Sequence, residues 1–105
     1  MSASQASTPL RCERLAEARV AIVGLGLMGG SLAAALKERR ACREVIGIPR
    51  RAETVAQALE RGLIDRGTAD PAQGLPEADL AILAMPVRTI LSSLPALAPL
   101  LPRGA

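Results

Sequence analysis

Val20-Ala21-Ile22-Val23-Gly24-Leu25-Gly26-Leu27-Met28-Gly29-Gly30-Ser31-Leu32-Ala33 decides the fold of this chain. An uncharged, β-branched run meets a cluster of glycines, and a helix of small residues follows at once. Gly24, Gly26 and Gly29 give the spacing G-x-G-x-x-G in the strand-turn-helix setting that a dinucleotide-binding reading requires. Gly24 lets the chain turn sharply out of the strand. Gly26 has no Cβ to hold a pyrophosphate away from the backbone, and Gly29 lets the new helix lie close on the sheet. The helix start then turns free N–H groups and the positive end of its dipole towards the phosphates. The plainer reading is a strand-to-helix turn with no ligand.

The chain has 105 residues, room for one domain. Half of them are hydrophobic and none is Phe, Tyr or Trp, so the core must be aliphatic. The formal net charge of +3 invites a nucleic-acid reading. Against it, the arginines are interleaved with acids, and no aromatic ring is available to stack on a base. No nucleic-acid partner is expected. Cys12 and Cys42 stand far apart in a chain without histidine, which is too little for a structural zinc site. No metal is expected, and both thiols should be reduced. No segment approaches the length of a membrane span, and the first residues lack the pattern of a signal peptide. These features predict a cytoplasmic protein.

Met1 to Pro9 reads as a flexible tail and Leu10 to Glu17 as a lead-in, leaving residues 18–105 as the folded unit. Strands are predicted at Arg19–Val23, Glu44–Ile48, Leu63–Arg66 and Leu80–Met85. The third should lie at a sheet edge, and the fourth is apolar enough to be buried on both faces. Helices are predicted over Met28–Arg40, with Lys37, Arg39 and Arg40 in its last turn, and over Ala52–Arg61, with Val55, Ala58 and Leu59 on one face and Gly62 ending it. Asp70-Pro71 should cap and open a brief turn ending near Gly74. A last helix runs from Val87 to Leu94 with Ile90, Leu91 and Leu94 inward, broken or restarted at Pro95 and Pro99. The order implies an α/β fold: a Rossmann-type, truncated doubly wound parallel sheet (βαβαβ-β-α) in three layers. Such an order leaves the fourth strand at an edge, where an uncovered apolar flank promotes self-association or marginal stability.

The second strand carries the choice of cofactor. An NAD site places Asp or Glu roughly twenty residues beyond the glycines, to bond the adenosine ribose. Counting from Gly29 reaches Pro49, in Gly47-Ile48-Pro49-Arg50-Arg51, and the carboxylate is missing. Two arginines suit a 2′-phosphate, because a guanidinium pairs bidentately with phosphate oxygens. NADP is therefore expected ahead of NAD, although the same two residues also read as solvated loop arginines. Ala84, Met85 and Pro86 should border the crevice at the carboxyl end of the fourth strand, on the nicotinamide-ribose side. Leu27 and Met28 could pack on the glycine turn or in the core, the core being favoured for Leu27. Ser31 could donate to a phosphate oxygen or simply sit on the helix surface.

Val23-Gly24-Leu25-Gly26-Leu27-Met28-Gly29-Gly30-Ser31-Leu32, Val45-Ile46-Gly47, Gly62-Leu63-Ile64-Asp65 and Ala84-Met85-Pro86-Val87 resemble, in order and interval, the N-terminal part of the prephenate/arogenate dehydrogenase family of tyrosine biosynthesis. Hydroxyisobutyrate-type dehydrogenases share the opening but continue towards Met-Ala-x-Asn-Leu. The resemblance implies oxidative decarboxylation of prephenate or arogenate with hydride passing to a nicotinamide cofactor, by a protein that is a homodimer at full length. It also implies that the catalytic histidine of a glycine-histidine-proline segment, a Thr-Asp-Val-(Gly/Ala)-Ser-Val-Lys segment and a helical dimerisation domain lie outside these residues. The chain alone is then expected to bind cofactor without catalysis, and no catalytic residue is assigned in it. The second-strand end is similar to the NADP-using arogenate dehydrogenase type, whose Gly-Val-Ser-Arg matches Arg50 and implies a role for Thr54; Pro49 departs from it. The cofactor-binding set is thus Gly24, Leu25, Gly26, Leu27, Met28, Gly29, Ser31, Arg50, Arg51, Thr54, Ala84, Met85 and Pro86. A non-catalytic nucleotide-binding module is the rival of a different class.

Overall fold

The computed structural model describes residues 14–105. The expected tail Met1–Pro9, and Cys12 with it, lie outside the described residues. Four strands form one sheet in the order β3-β2-β1-β4: β1 (Arg19–Val23), β2 (Glu44–Ile48), β3 (Arg66–Gly67) and β4 (Leu80–Leu83). Every pairing is parallel, with Ile22 opposite Gly47 on one side and Ile82 on the other. Helices α1 (Leu27–Glu38), α2 (Ala52–Glu60) and α3 (Pro71–Gly74) lie in the three connections, and α4 (Val87–Leu97) follows the last strand.

Alternation along β1 divides the core in two. Val20 and Ile22 join Val45, Ala33, Ala58 and Ile64 on the face covered by α1 and α2. Ala21 and Val23 join Ile46, Ile48, Leu75, Ala78 and Leu97 on the other face, beneath the α3 and α4 segments. The molecule is therefore the three-layer α/β arrangement expected of this element order. With no aromatic residue to fill space, close approach of backbone takes its place. A Cβ on Gly47 would stand 2.8 Å from a Leu25 methyl, and one on Gly74 would stand 2.7 Å from Ile48 Cδ1.

Several expected elements differ in extent. β3 is only Arg66–Gly67, because Leu63-Ile64-Asp65 is a bend pinned to the start of β2. Asp65 N–H donates to Val45 O at 2.9 Å, while Val45 N–H donates to Asp65 Oδ2 at 2.7 Å. Helix α1 ends at Glu38, leaving Arg39 as its cap and Arg40 beyond it. On α2, Ala58 is buried but Leu59 is exposed. β4 is not buried on both faces: as an edge strand it leaves Leu80 41% exposed, and its other residues are half-buried. Pro95 does not break α4, which continues to Leu97. The proline lies in the last turn, where the carbonyl it leaves unbonded belongs to solvent-facing Leu91. Continuation carries Leu97 into the core. Leu91 and Leu94, expected inward, are exposed instead. Asp70 caps α3 as expected, its side chain accepting from Ala72 N–H at 3.0 Å ahead of Pro71. No described helix is long and apolar enough to cross a membrane.

Candidate cofactor-binding site

The carboxyl ends of β1, β2 and β4 converge on a cleft of about 620 Å³. Two backbone bonds tie their loops together: Gly24 N–H donates to Ile48 O, and Ala84 N–H donates to Val23 O, each at 2.9 Å. The glycine turn, the arginine-bearing loop and the β4 exit thus form one surface.

Each motif glycine has a distinguishable reason to be there. Gly24 sits at φ +97, and a Cβ on it would come 2.5 Å from Ala84 O. A Cβ on Gly29 would come 2.0 Å from Gly24 O, so helix and turn could not approach. These two glycines are required by the fold itself. Gly26 is different. Its φ is −71 and a Cβ on it would meet nothing within 4 Å, so the fold imposes no demand for glycine there. Its bare backbone lines open space in the cleft, where a side chain would stand between ligand and main chain. Gly26 is also the cap of α1 and supplies no side-chain acceptor, so the N–H groups of the first turn stay available. A group carrying phosphate fits this cradle.

Gly24, Leu25, Gly26, Arg50, Arg51, Thr54, Ala84, Met85 and Pro86 all line the cleft, as does Pro49. Neither Arg50 nor Arg51 forms an ion pair among the described residues. Among the described residues no carboxylate lines the cleft either, so two guanidinium groups flank it without a described counter-charge. The remaining four expected residues lie outside the lining. Gly29 is buried under the turn. Leu27 is 89% and Met28 82% exposed, against the expectation of core for Leu27. The inward face of α1 is Gly29, Leu32, Ala33 and Leu36, and Leu27 lies about 200° around the helix from Gly29. Ser31 Oγ donates to Leu27 O at 2.8 Å, one turn back along α1.

Ala69, Pro71, Thr89, Ser93 and Leu97 also line the cleft, and sequence reasoning missed them. Thr89 and Ser93 had a signal, two hydroxyl residues spaced i, i+4 and so on one face of the helix. Ala69 and Pro71 had none, since their place depends on α3 folding back onto β2.

Residues 32–105 match the family model described as prephenate dehydrogenase, nucleotide-binding domain. The chain belongs to that family. It is 38% identical over 79 residues to the prephenate dehydrogenase of Bacillus subtilis, covering 75% of this chain and 21% of that protein. It is 38% identical over 77 residues to the prephenate dehydrogenase of Lactococcus lactis, covering 72% and 21%. The chain therefore spans about a fifth of the length of the curated relatives it matches. Among solved structures, Synechocystis arogenate dehydrogenase is similar with a TM-score of 0.72 and 38% identity, over 80% of this chain and 29% of that one. Prephenate dehydrogenase from A. aeolicus, solved with hydroxyphenyl propionate and NAD+, gives a TM-score of 0.73 and 33% identity, over 80% and 30%. These are Rossmann-fold dehydrogenases, and membership in the family identifies this chain as a nucleotide-binding domain.

Proposed function

We propose that this chain is the NADP-binding portion of a cytoplasmic prephenate or arogenate dehydrogenase, homodimeric at full length, acting in tyrosine biosynthesis. The observation that carries the choice of cofactor is the end of β2: two guanidinium groups border the cleft, and no carboxylate among the described residues does. Arg50 would clamp the 2′-phosphate, with Arg51 and Thr54 beside it. Gly24, Leu25 and Gly26, with Gly29 beneath them, would bring bare main chain and the α1 N-terminus, including Leu27, Met28 and Ser31, to the pyrophosphate. Ala84, Met85 and Pro86 would border the nicotinamide ribose.

When bound, the cofactor accepts the hydride released as the substrate decarboxylates. The chain's own residues bind and orient it. They include no histidine to take the substrate hydroxyl proton, so this portion alone holds cofactor without turnover. The NAD reading draws on the A. aeolicus relative, solved with NAD+, and on Pro49, which has neither hydroxyl nor backbone N–H to offer a phosphate.

Calorimetric titration of the chain with NADPH and NADH separates the two. NADPH is expected to bind more tightly, and Arg50→Ala to cost about 1.5–3 kcal/mol of NADPH affinity with NADH nearly unchanged. Equal losses for both cofactors would remove the phosphate clamp.

A further inference from the structure

A second hollow, of about 240 Å³, lies at the opposite end of the strands, where α1 ends and β2 begins. Leu36, Cys42 and Val45 give it apolar walls, and Lys37, Arg40 and Arg43 bring positive charge to it. The one acid there among the described residues, Asp65, is already committed to Lys37 Nζ and to Val45 N–H. Neither Arg40 nor Arg43 forms an ion pair among the described residues.

Arg40 is held there in an unusual way. It has φ +50, and it is the only non-glycine at positive φ among the described residues. Arg40 N–H donates to Lys37 O at 3.2 Å and Ala41 N–H to Leu36 O at 3.0 Å, the pair of bonds that closes a helix through a left-handed residue. Helix α2 closes with the same two bonds, Gly62 N–H to Leu59 O and Leu63 N–H to Ala58 O, and there the left-handed residue is a glycine. At the end of α1 a guanidinium occupies the position where glycine carries no strain, and it lines the hollow. Strain of this kind gathers at ligand clamps. The Cys42 thiol, pushed up by burial, stays neutral and puts no negative charge opposite the arginines.

We propose that this hollow binds a small oxyanion, a phosphate or carboxylate borne on a compact apolar group, through the guanidinium groups of Arg40 and Arg43. The apolar walls take the organic part and the guanidinium groups of the two arginines take the oxygens. This site is separate from the nucleotide cleft and does not depend on which cofactor the cleft takes.

The test is an NMR titration of the isotopically labelled 105-residue chain with n-butyl phosphate, butyrate and inorganic phosphate, at ionic strength matched with chloride. Saturable shifts are expected at the amides of residues 37–45. Arg40→Gly and Arg43→Ala should each weaken that response by about tenfold or more, the scale of a lost charge-assisted hydrogen bond. Arg50→Ala should leave it unchanged. Butyl phosphate against butyrate tells which oxyanion is preferred, and inorganic phosphate tells whether the apolar part contributes. Arg40→Gly should melt at or above the parent temperature, since it removes the strain with the guanidinium. Shifts that never saturate, that survive both substitutions, or that appear only at Gly24–Gly29 and Arg50 would overturn the site. A lower melting temperature for Arg40→Gly would assign that arginine to the fold instead, and Arg43→Ala tests the anion without altering the backbone.

Discussion

The two ends of the parallel sheet differ in what their acids do. At the amino end, acids meet donors from strands and helices, while Arg40 and Arg43 beside the second hollow form no ion pair among the described residues. Asp79 Oδ2 accepts Arg19 N–H at 2.8 Å, and Asp65 accepts Val45 N–H and Lys37. Arg66 reaches Glu44 at 2.6 Å and Glu77 at 2.5 Å. At the carboxyl end, Arg50 and Arg51 have no such partners among the described residues, and the cap of α1 contributes no side-chain acceptor. Strands that begin in parallel present N–H groups needing acceptors, and the chain supplies carboxylates for them. Where the same strands end, the uncapped start of α1 and the two arginines leave donors over. A cation matched within the chain belongs to the architecture, whereas one left unmatched beside a cleft is available to a ligand.

The sharpest way to break this contrast is at the glycines. Gly29→Ala or Gly24→Ala is expected to destabilise the fold by about 3–4 kcal/mol, because the new Cβ meets backbone that cannot yield. Gly26→Ala should change stability by less than about 1 kcal/mol yet impair nucleotide binding, since its Cβ enters open space. Denaturant unfolding paired with cofactor titration separates these outcomes. A parent-like Gly26→Ala in both measurements would end the cradle assignment.

The amino end should respond through pH. Burial raises the Asp65 carboxyl, but its bonds from Lys37 and Val45 N–H outweigh that and hold it below the ordinary range. A carboxyl lowered on folding stabilises fully above its unfolded value, about 3.9, and loses that contribution as pH falls through the folded value. Asp65→Asn should therefore cost about 1 kcal/mol at neutral pH, with the gap closing in acid. Thermal melts from pH 7 to pH 2 check both the size and the direction. Smallest of all, Arg66→Ala should cost about 0.5 kcal/mol or less, because its ion pairs are exposed to water and salt. Its melting temperature should approach the parent's as salt is raised.

The parts of the molecule legible from sequence are those governed by local chemistry. Gly24, Gly26 and Gly29 announced the turn, Asp70 and Pro71 the start of α3, and the runs ending in Val23 and Ile48 the two central strands. Their parallel order followed from the intervals between them. Misreadings arose where the outcome depended on distant neighbours. Leu80 to Met85 is as apolar as a central strand and so reads as buried on both faces, although the element order already puts it at the edge that exposes it. Leu91 and Leu94 follow helical spacing, but nothing described covers that side of α4. Leu27 reads as core until the direction of α1 is known. The cleft followed the same division. Arg50, Met85 and Pro86 were visible at strand ends, while Ala69 and Pro71 reached it only through the fold-back of α3.

The 2.9 Å bonds from Gly24 to Ile48 and from Ala84 to Val23 have a kinetic meaning. They staple three separate loops to one another before anything arrives, so a ligand entering between them finds a finished socket rather than one it must assemble. Little ordering of the main chain in these three loops would be left for the moment of capture.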